Sequence, residues 1–167
     1  MKRIVLPLCM MLAMSAALWA QPAPENPWKL TVTLRDGSKC VLSLTDLKTL
    51  ARATVTATEP KTTTVRKYEG ALLSAVLVRA GAPTGKTLHG AELRDYVVVG
   101  ASDGYRVVFS LAELDQPTHA NHVLLADTVD GKPLDASHGP LAIVSAEDQR
   151  PERWVRMVTE ISIRQAE

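Results

Sequence analysis

Over much of this chain, apolar and polar residues alternate with the period of a β-strand. From Lys29 to Arg35, Leu30, Val32 and Leu34 fall on one face, the two-residue repeat of a half-buried strand. Asp36-Gly37 is a hairpin turn signal, and Val41, Leu42 and Leu44 follow it. Thr45 has the chemistry of an N-cap, with Asp46 in the first turn and Leu47 and Leu50 on one face of a short helix. Residues 52–58 read as a strand through Ala53, Val55 and Ala57, and residues 62–68 as a second, Thr-rich one.

At Gly70 the period changes. Leu72, Leu73, Val76, Leu77 and Ala80 form one helical stripe, Gly81 stands where a left-handed C-terminal residue belongs, and Pro83 confirms the stop. Tyr96 to Ala101 is a continuous apolar run suited to a strand buried on both faces. Asp103-Gly104 marks a turn into a partner strand from Tyr105 to Phe109, after which Ser110 caps one helical turn holding Leu111 and Leu114. Further strands are predicted over Val123–Val129, closed by Asp130-Gly131, and over Leu141–Val144 and Thr159–Ile163. A short helical turn near Arg150–Met157 separates the last two. Strands outnumber helices and hairpin turns recur, so the class is α+β, a mixed β-sheet domain with a few short helices, and not a doubly wound alternation. There is no internal repeat.

The N-terminus is read apart from this domain. Lys2 and Arg3 precede an uncharged apolar run, Ile4 to Ala20, which ends on small residues before Gln21-Pro22-Ala23-Pro24. That is the layout of a general secretory signal peptide, too short and too interrupted by Pro7 for a membrane span. Cleavage is expected after Ala20, with Ala17 as the alternative. Cys9 lies too early for a lipoprotein cysteine, and Lys2-Arg3 lacks the twin-arginine context. The expected organisation is a signal peptide over 1–20, a Pro-rich linker over 21–28 and one domain over 29–167, placed in the periplasm or secreted.

Processing would remove two positive charges and no negative ones, taking the formal charge from +1 to −1. A near-neutral chain has no bulk attraction for nucleic acid or an anionic membrane. Only Cys40 would survive cleavage, so no internal disulfide forms. About 147 residues suffice for one packed core.

Several motifs are weaker than they look. Gly81-Ala-Pro-Thr-Gly85-Lys86-Thr87 has three residues between its glycines where a phosphate loop has four, and it follows a helix. It reads as a helix-terminating loop. His119 and His122 lie in a Pro- and Asn-bearing segment with no third ligand in view, and read as surface histidines. No Gly-x-Ser-x-Gly elbow is present. Cys40 reads as a small half-buried apolar residue. Glu147, Asp148, Arg150, Glu152 and Arg153 read as a solvated charged loop.

The order of several segments resembles one family. Tyr68-Glu69-Gly70-Ala71-Leu72-Leu73, with Ala80-Gly81, is similar to the "Y-x-G-x-x-L … AG" segment of the oxidoreductase molybdopterin-binding domain. Ser102-Asp103-Gly104-Tyr105 resembles its "DGY" hairpin, and Asp130-Gly131-Lys132-Pro133-Leu134 its "nGkpL" turn. His138-Gly139-Pro140-Leu141 is similar to its "GxPlR" turn, and Arg153-Trp154-Val155-Arg156 to its closing "kW-v" segment. The resemblance implies the fold of the sulfite-oxidase molybdopterin domain in a small, stand-alone form.

Departures from the pattern shape the expected function. The family enzymes hold molybdenum through one cysteine thiolate ahead of the "Y-x-G" motif, and here that stretch, Thr54 to Lys67, has no cysteine. A soft thiolate is not replaced by a threonine hydroxyl or by Glu59 without changing the metal chemistry. The arginine of the "GxPlR" turn is Ala142 here. Molybdopterin is inserted in the cytoplasm, and the general secretory route passes unfolded chains. The expectation is therefore a module without molybdenum cofactor, acting on a small anionic ligand or an exported or membrane protein partner. Its candidate ligand-binding residues are Asp103, Tyr105, Arg106, His138 and Gly139, on loops over a rigid sheet; tight turns and packing are the simpler roles. The rival is a periplasmic oxidoreductase with an atypical metal or pterin site through His138 or Cys40.

Overall fold

The computed structural model describes residues 27–120 and 122–167. The expected signal peptide and most of the expected linker lie outside the described residues. The strands are β1 (Lys29–Thr33), β2 (Lys39–Ser43), β3 (Arg52–Thr58), β4 (Val65–Leu72), β5 (Asp95–Ala101), β6 (Arg106–Ser110), β7 (Val123–Val129), β8 (Lys132–Pro133), β9 (Ala142–Ser145) and β10 (Val158–Gln165). The α-helices are α1 (Leu44–Lys48), α2 (Leu73–Ala80) and α3 (Leu111–Leu114). Three 3-10 turns, Gly85–Thr87, Gly90–Arg94 and Pro151–Arg153, complete the described elements.

Two mixed or antiparallel sheets face each other, and the fold is α+β. One sheet runs β2-β1-β10-β5-β6, and the other β3-β4-β7-β8 with β9 also on β7. In the first sheet β1 and β10 pair in parallel, Val32 opposite Ile161, which ties the two ends of the domain together. Inward residues of both sheets, among them Leu30, Val97, Val99, Phe109, Leu125 and Ile143, form one main core with Leu73, Val76 and Leu77 of α2. Alternation along each strand produces this directly, since every second residue points to one face.

β7 and β9 are buried on both faces. Val123, Leu125 and Ile143 join the main core, while Leu124, Ala126 and Val144 form a second cluster with Tyr68 on the far side of the sheet. Trp154 packs on that outer cluster, edge-on to Tyr68 with ring centroids 5.4 Å apart. Its indole N–H donates to the Ser145 carbonyl at 3.0 Å, satisfying the one polar atom of the ring.

Three local predictions are corrected. Helix α1 is capped by Ser43, not Thr45: its hydroxyl accepts from Asp46 N, and the Asp46 carboxylate accepts from Ser43 N. Gly70 does not open a helix. It lies inside β4, whose range Val65–Leu72 replaces the predicted 62–68. A Cβ at Gly70 would collide with the Leu125 carbonyl and lie 2.5 Å from Ala126 Cα. The register slips here, Glu69 facing Thr128 and Gly70 facing Ala126, so Asp127 is the extra residue of a bulge. Asp127 accepts from the two terminal guanidinium nitrogens of Arg52 at 2.8 and 2.9 Å, linking β3 to β7 across β4.

Gly70→Ala is expected to destabilise the domain by roughly 3 kcal/mol, because backbone on β7 and not a flexible side chain blocks the added methyl; urea unfolding measures it. Burial pushes the Asp127 carboxyl up, but Arg52 and the Thr128 hydroxyl outweigh that and hold it below the ordinary carboxylate value. Asp115 is likewise raised by burial and lowered further by the Thr118 and Thr84 hydroxyls. Folded-state values below the unfolded ones mean stability that is present above about pH 4 and lost as pH falls through the folded values. The urea midpoint should therefore fall on acidification below about pH 4, and Asp127→Asn should flatten that fall. Because the Arg52 side chain is about one-third exposed, the neutral-pH cost of Asp127→Asn is limited to about 1 kcal/mol.

Candidate functional site

The clearest concavity among the described residues lies on the outer side of the second sheet. One wall is the end of β3 and its turn, Thr56 to Thr62; the other is the segment after β9, from Ala146 to Pro151. Trp154 lies between them, and the cleft volume is about 450 Å³.

The first wall is shaped by its own backbone. Glu59 N donates to Thr64 O, and the Glu59 carbonyl accepts from both Thr62 N and the Thr62 hydroxyl. This closes a tight loop with Lys61 at its apex in the left-handed region, φ 65°. The carboxylate of Glu59 faces Arg66 at 3.6 Å, and Arg66 also engages Asp130.

Arg153 anchors the second wall. Its guanidinium meets both Asp148 oxygens, at 2.6 and 2.9 Å, and Glu113 at 2.9 Å, and lies 4.3 Å over the Phe109 ring. Asp148 hydrogen bonding raises the Arg153 pKa further. Glu113 also accepts from Ser110 N, so Arg153 locks onto the cap of α3. The segment predicted as a solvated charged loop is thus in part a structural clamp. Arg150, just ahead of Pro151, is exposed at the mouth of the cleft.

The sequence-predicted site residues lie at a neighbouring end. Asp103 accepts from Tyr105 N at 2.9 Å, holding its own turn. Tyr105 donates its hydroxyl to the Glu152 carbonyl at 2.5 Å, and Arg106 pairs with Glu160 at 2.7 Å. His138 Nδ1 lies 2.9 Å from Asp135, whose carboxyl the Ser137 hydroxyl and His138 hold well below the usual range. A Cβ at Gly139 would fall 2.8 Å from Leu134 Cβ. The two loops do come together: Met157 N donates to His138 O, and Met157 O accepts from Ser102 N. Each of these side chains has a partner within the chain. Tyr105 touches the cleft only indirectly, by fixing Glu152 beside Pro151.

Lys61, Arg150 and Trp154 are absent from the sequence-predicted set because their signal is slight: a Pro-Lys-Thr turn and an Arg-Pro pair. The pseudo-phosphate loop already has an anion from the chain itself, since the Thr84 hydroxyl and Gly85 N donate to Asp115 at 2.5 and 3.0 Å. His119 and His122 are exposed or in loops, and among the described residues no three His, Cys, Asp or Glu come together to share a metal ion. Cys40 is half-buried on β2, packed against the main core in the other sheet. The stretch Thr54–Lys67 forms most of β3, the Lys61 turn and the start of β4, and offers hydroxyls, one carboxylate and basic side chains.

Among curated proteins, none matches the chain. One similar solved structure is the crystal structure of the sulfane dehydrogenase SoxCD from Paracoccus pantotrophus, at 19% sequence identity and a TM-score of 0.64. The match covers 88% of this chain and 40% of that one, so this chain spans about two-fifths of its length. At that identity the likeness is one of fold. The family model described as the oxidoreductase molybdopterin binding domain matches residues 18–167. By that match and by its two-sheet architecture, the chain belongs to the oxidoreductase molybdopterin binding domain family.

Proposed function

We propose that this chain is an exported member of the family that works as a ligand-binding or accessory module without molybdenum. The observation that carries the reading is the donor set of Thr54–Lys67, where the family places its thiolate. This stretch holds no sulfur and no imidazole. Threonine hydroxyls and one carboxylate already facing Arg66 do not fit a molybdenum ligand set, which calls for a soft thiolate. Cys40 packs against the core between the sheets, on a strand of the other sheet. Ala142 is buried in β9, where the family turn carries an arginine. The N-terminal pattern of Lys2, Arg3 and an apolar run supports export by the general secretory route. The two walls of the cleft, each fixed by its own hydrogen bonds, give the module a preformed surface.

Mature protein recovered from the exported fraction of its own host tests both parts of the reading. Elemental analysis and pterin fluorescence after oxidative release should find neither molybdenum nor pterin in folded protein. Molybdenum near one per chain would overturn the reading and direct attention to an unforeseen ligand, Cys40 first. Mass spectrometry of the same sample should place the mature N-terminus at Gln21. Uncleaved chain confined to the cytoplasm would overturn the export part.

A further inference from the structure

We propose that the cleft between the Lys61 turn and the 146–151 segment takes a small organic carboxylate with a flat, unsaturated body, held by Lys61 and Arg150 against Trp154. The inference deepens the binding role proposed above and rests on it.

Charge is the first argument. Four charged side chains line the walls: Glu59, Lys61, Asp148 and Arg150. The two acids are neutralised from behind, Glu59 by Arg66 at 3.6 Å and Asp148 by the two-pronged contact with Arg153. Among the described residues, neither Lys61 nor Arg150 has an ion-pair partner. The concavity therefore carries two uncompensated positive charges, and its field favours an anion.

Placement is the second. Lys61 sits at φ 65°, a costly conformation for a residue with a side chain, held by the Glu59–Thr62 and Glu59–Thr64 hydrogen bonds. Arg150 precedes Pro151 and is confined to the extended region, φ −136° and ψ 146°. Both cations thus stand on backbone with little freedom left to lose on binding.

Size and lining identify the class. The volume of about 450 Å³ suits a small organic molecule and exceeds what a bare inorganic anion fills. The Trp154 N–H is already spent on the Ser145 carbonyl, so the indole offers the ligand its apolar surface and not a donor. Thr56 and Thr58 belong to the same wall as Lys61. A guanidinium fork matches a carboxylate with two parallel hydrogen bonds. A planar carboxylate uses both halves of the cleft; a bare oxyanion leaves the indole unused.

The test is a titration of mature protein with benzoate, benzene-1,2-dicarboxylate and inorganic phosphate, followed by tryptophan fluorescence and calorimetry. The aromatic dicarboxylate should bind saturably with a Kd below about 1 mM, tighter than benzoate and much tighter than phosphate. Lys61→Ala and Arg150→Ala should each weaken it about 10-fold, with unchanged urea midpoints because both side chains are exposed and unpaired. No saturable binding of the dicarboxylate to folded protein would overturn the inference, as would equal affinity in the double variant. Phosphate binding as tightly as the dicarboxylate would overturn the organic class. Molybdenum is assayed in the same sample. Metal present would count against the metal-free module; metal absent with no binding would overturn the carboxylate site alone.

Discussion

Strand β7 is apolar on both faces, and much of the molecule follows from that constraint. Val123 and Leu125 are buried in the main core, while Leu124 and Ala126 on the opposite face are equally shut off from water. Fully burying a leucine contributes about 2 kcal/mol relative to leaving it exposed, so the second face needs a cover of its own. Tyr68 from β4 and Trp154 supply it, together with Val144. Trp154 reaches that place because the chain turns back after β9: Ile143 N donates to Val155 O, and Val158 N to Leu141 O. The cleft is a by-product of this cover. Its second wall is the connection that brings Trp154 onto the sheet.

The same connection depends on one buttressed cation. Arg153 points to the opposite side from its neighbour Trp154, onto Phe109 and the cap of α3. Adjacent residues thus face the two clusters, Trp154 the outer and Arg153 the edge of the main core. Asp148 is drawn into this arrangement and its charge is consumed there. That is why the cleft, whose residues include two acids, has an electropositive balance: the acids are committed to the scaffold and the cations are not.

The elements that could be read from the sequence were those whose cause is local. The β-branched run at Tyr96–Ala101, the Asp-Gly turns, the Gly81 terminus of α2 and the Ser110 cap each depend on residues within a few positions, and the structure contains them. The misread positions were set from a distance or by competing local signals. Gly70 sits in a strand because β7 passes too close for a side chain, a fact no window around Gly70 contains. Ser43 and Asp46 form a complete capping box, but Leu44 continues the apolar pattern of β2 and so shifts the predicted cap to Thr45. The turns over Gly85–Thr87 and Gly90–Arg94 are too short to carry a period. The cleft was illegible for the same reason as Gly70. Lys61 and Arg150 belong to segments that only the three-dimensional fold makes into facing walls.

Family membership and the proposed absence of molybdenum are compatible because the threonines of the segment Thr54–Lys67 are marginal to the packing. Thr54 and Thr56 are exposed on an edge strand, and the turn that follows is at the surface. Residues that carry the fold lie elsewhere: the parallel β1–β10 pair, the Gly70 crossing and the two-sided β7. Side chains at such an edge contribute little burial, so a change of residue type there leaves both clusters intact. The opposite holds for Gly70, where the sequence resembles the family and the backbone of β7 leaves no room for a side chain, and Trp154 covers the outer cluster. Positions fixed by packing and a surface segment free of it are what a scaffold with a replaceable function requires, and the two lie on different residues of the same sheet.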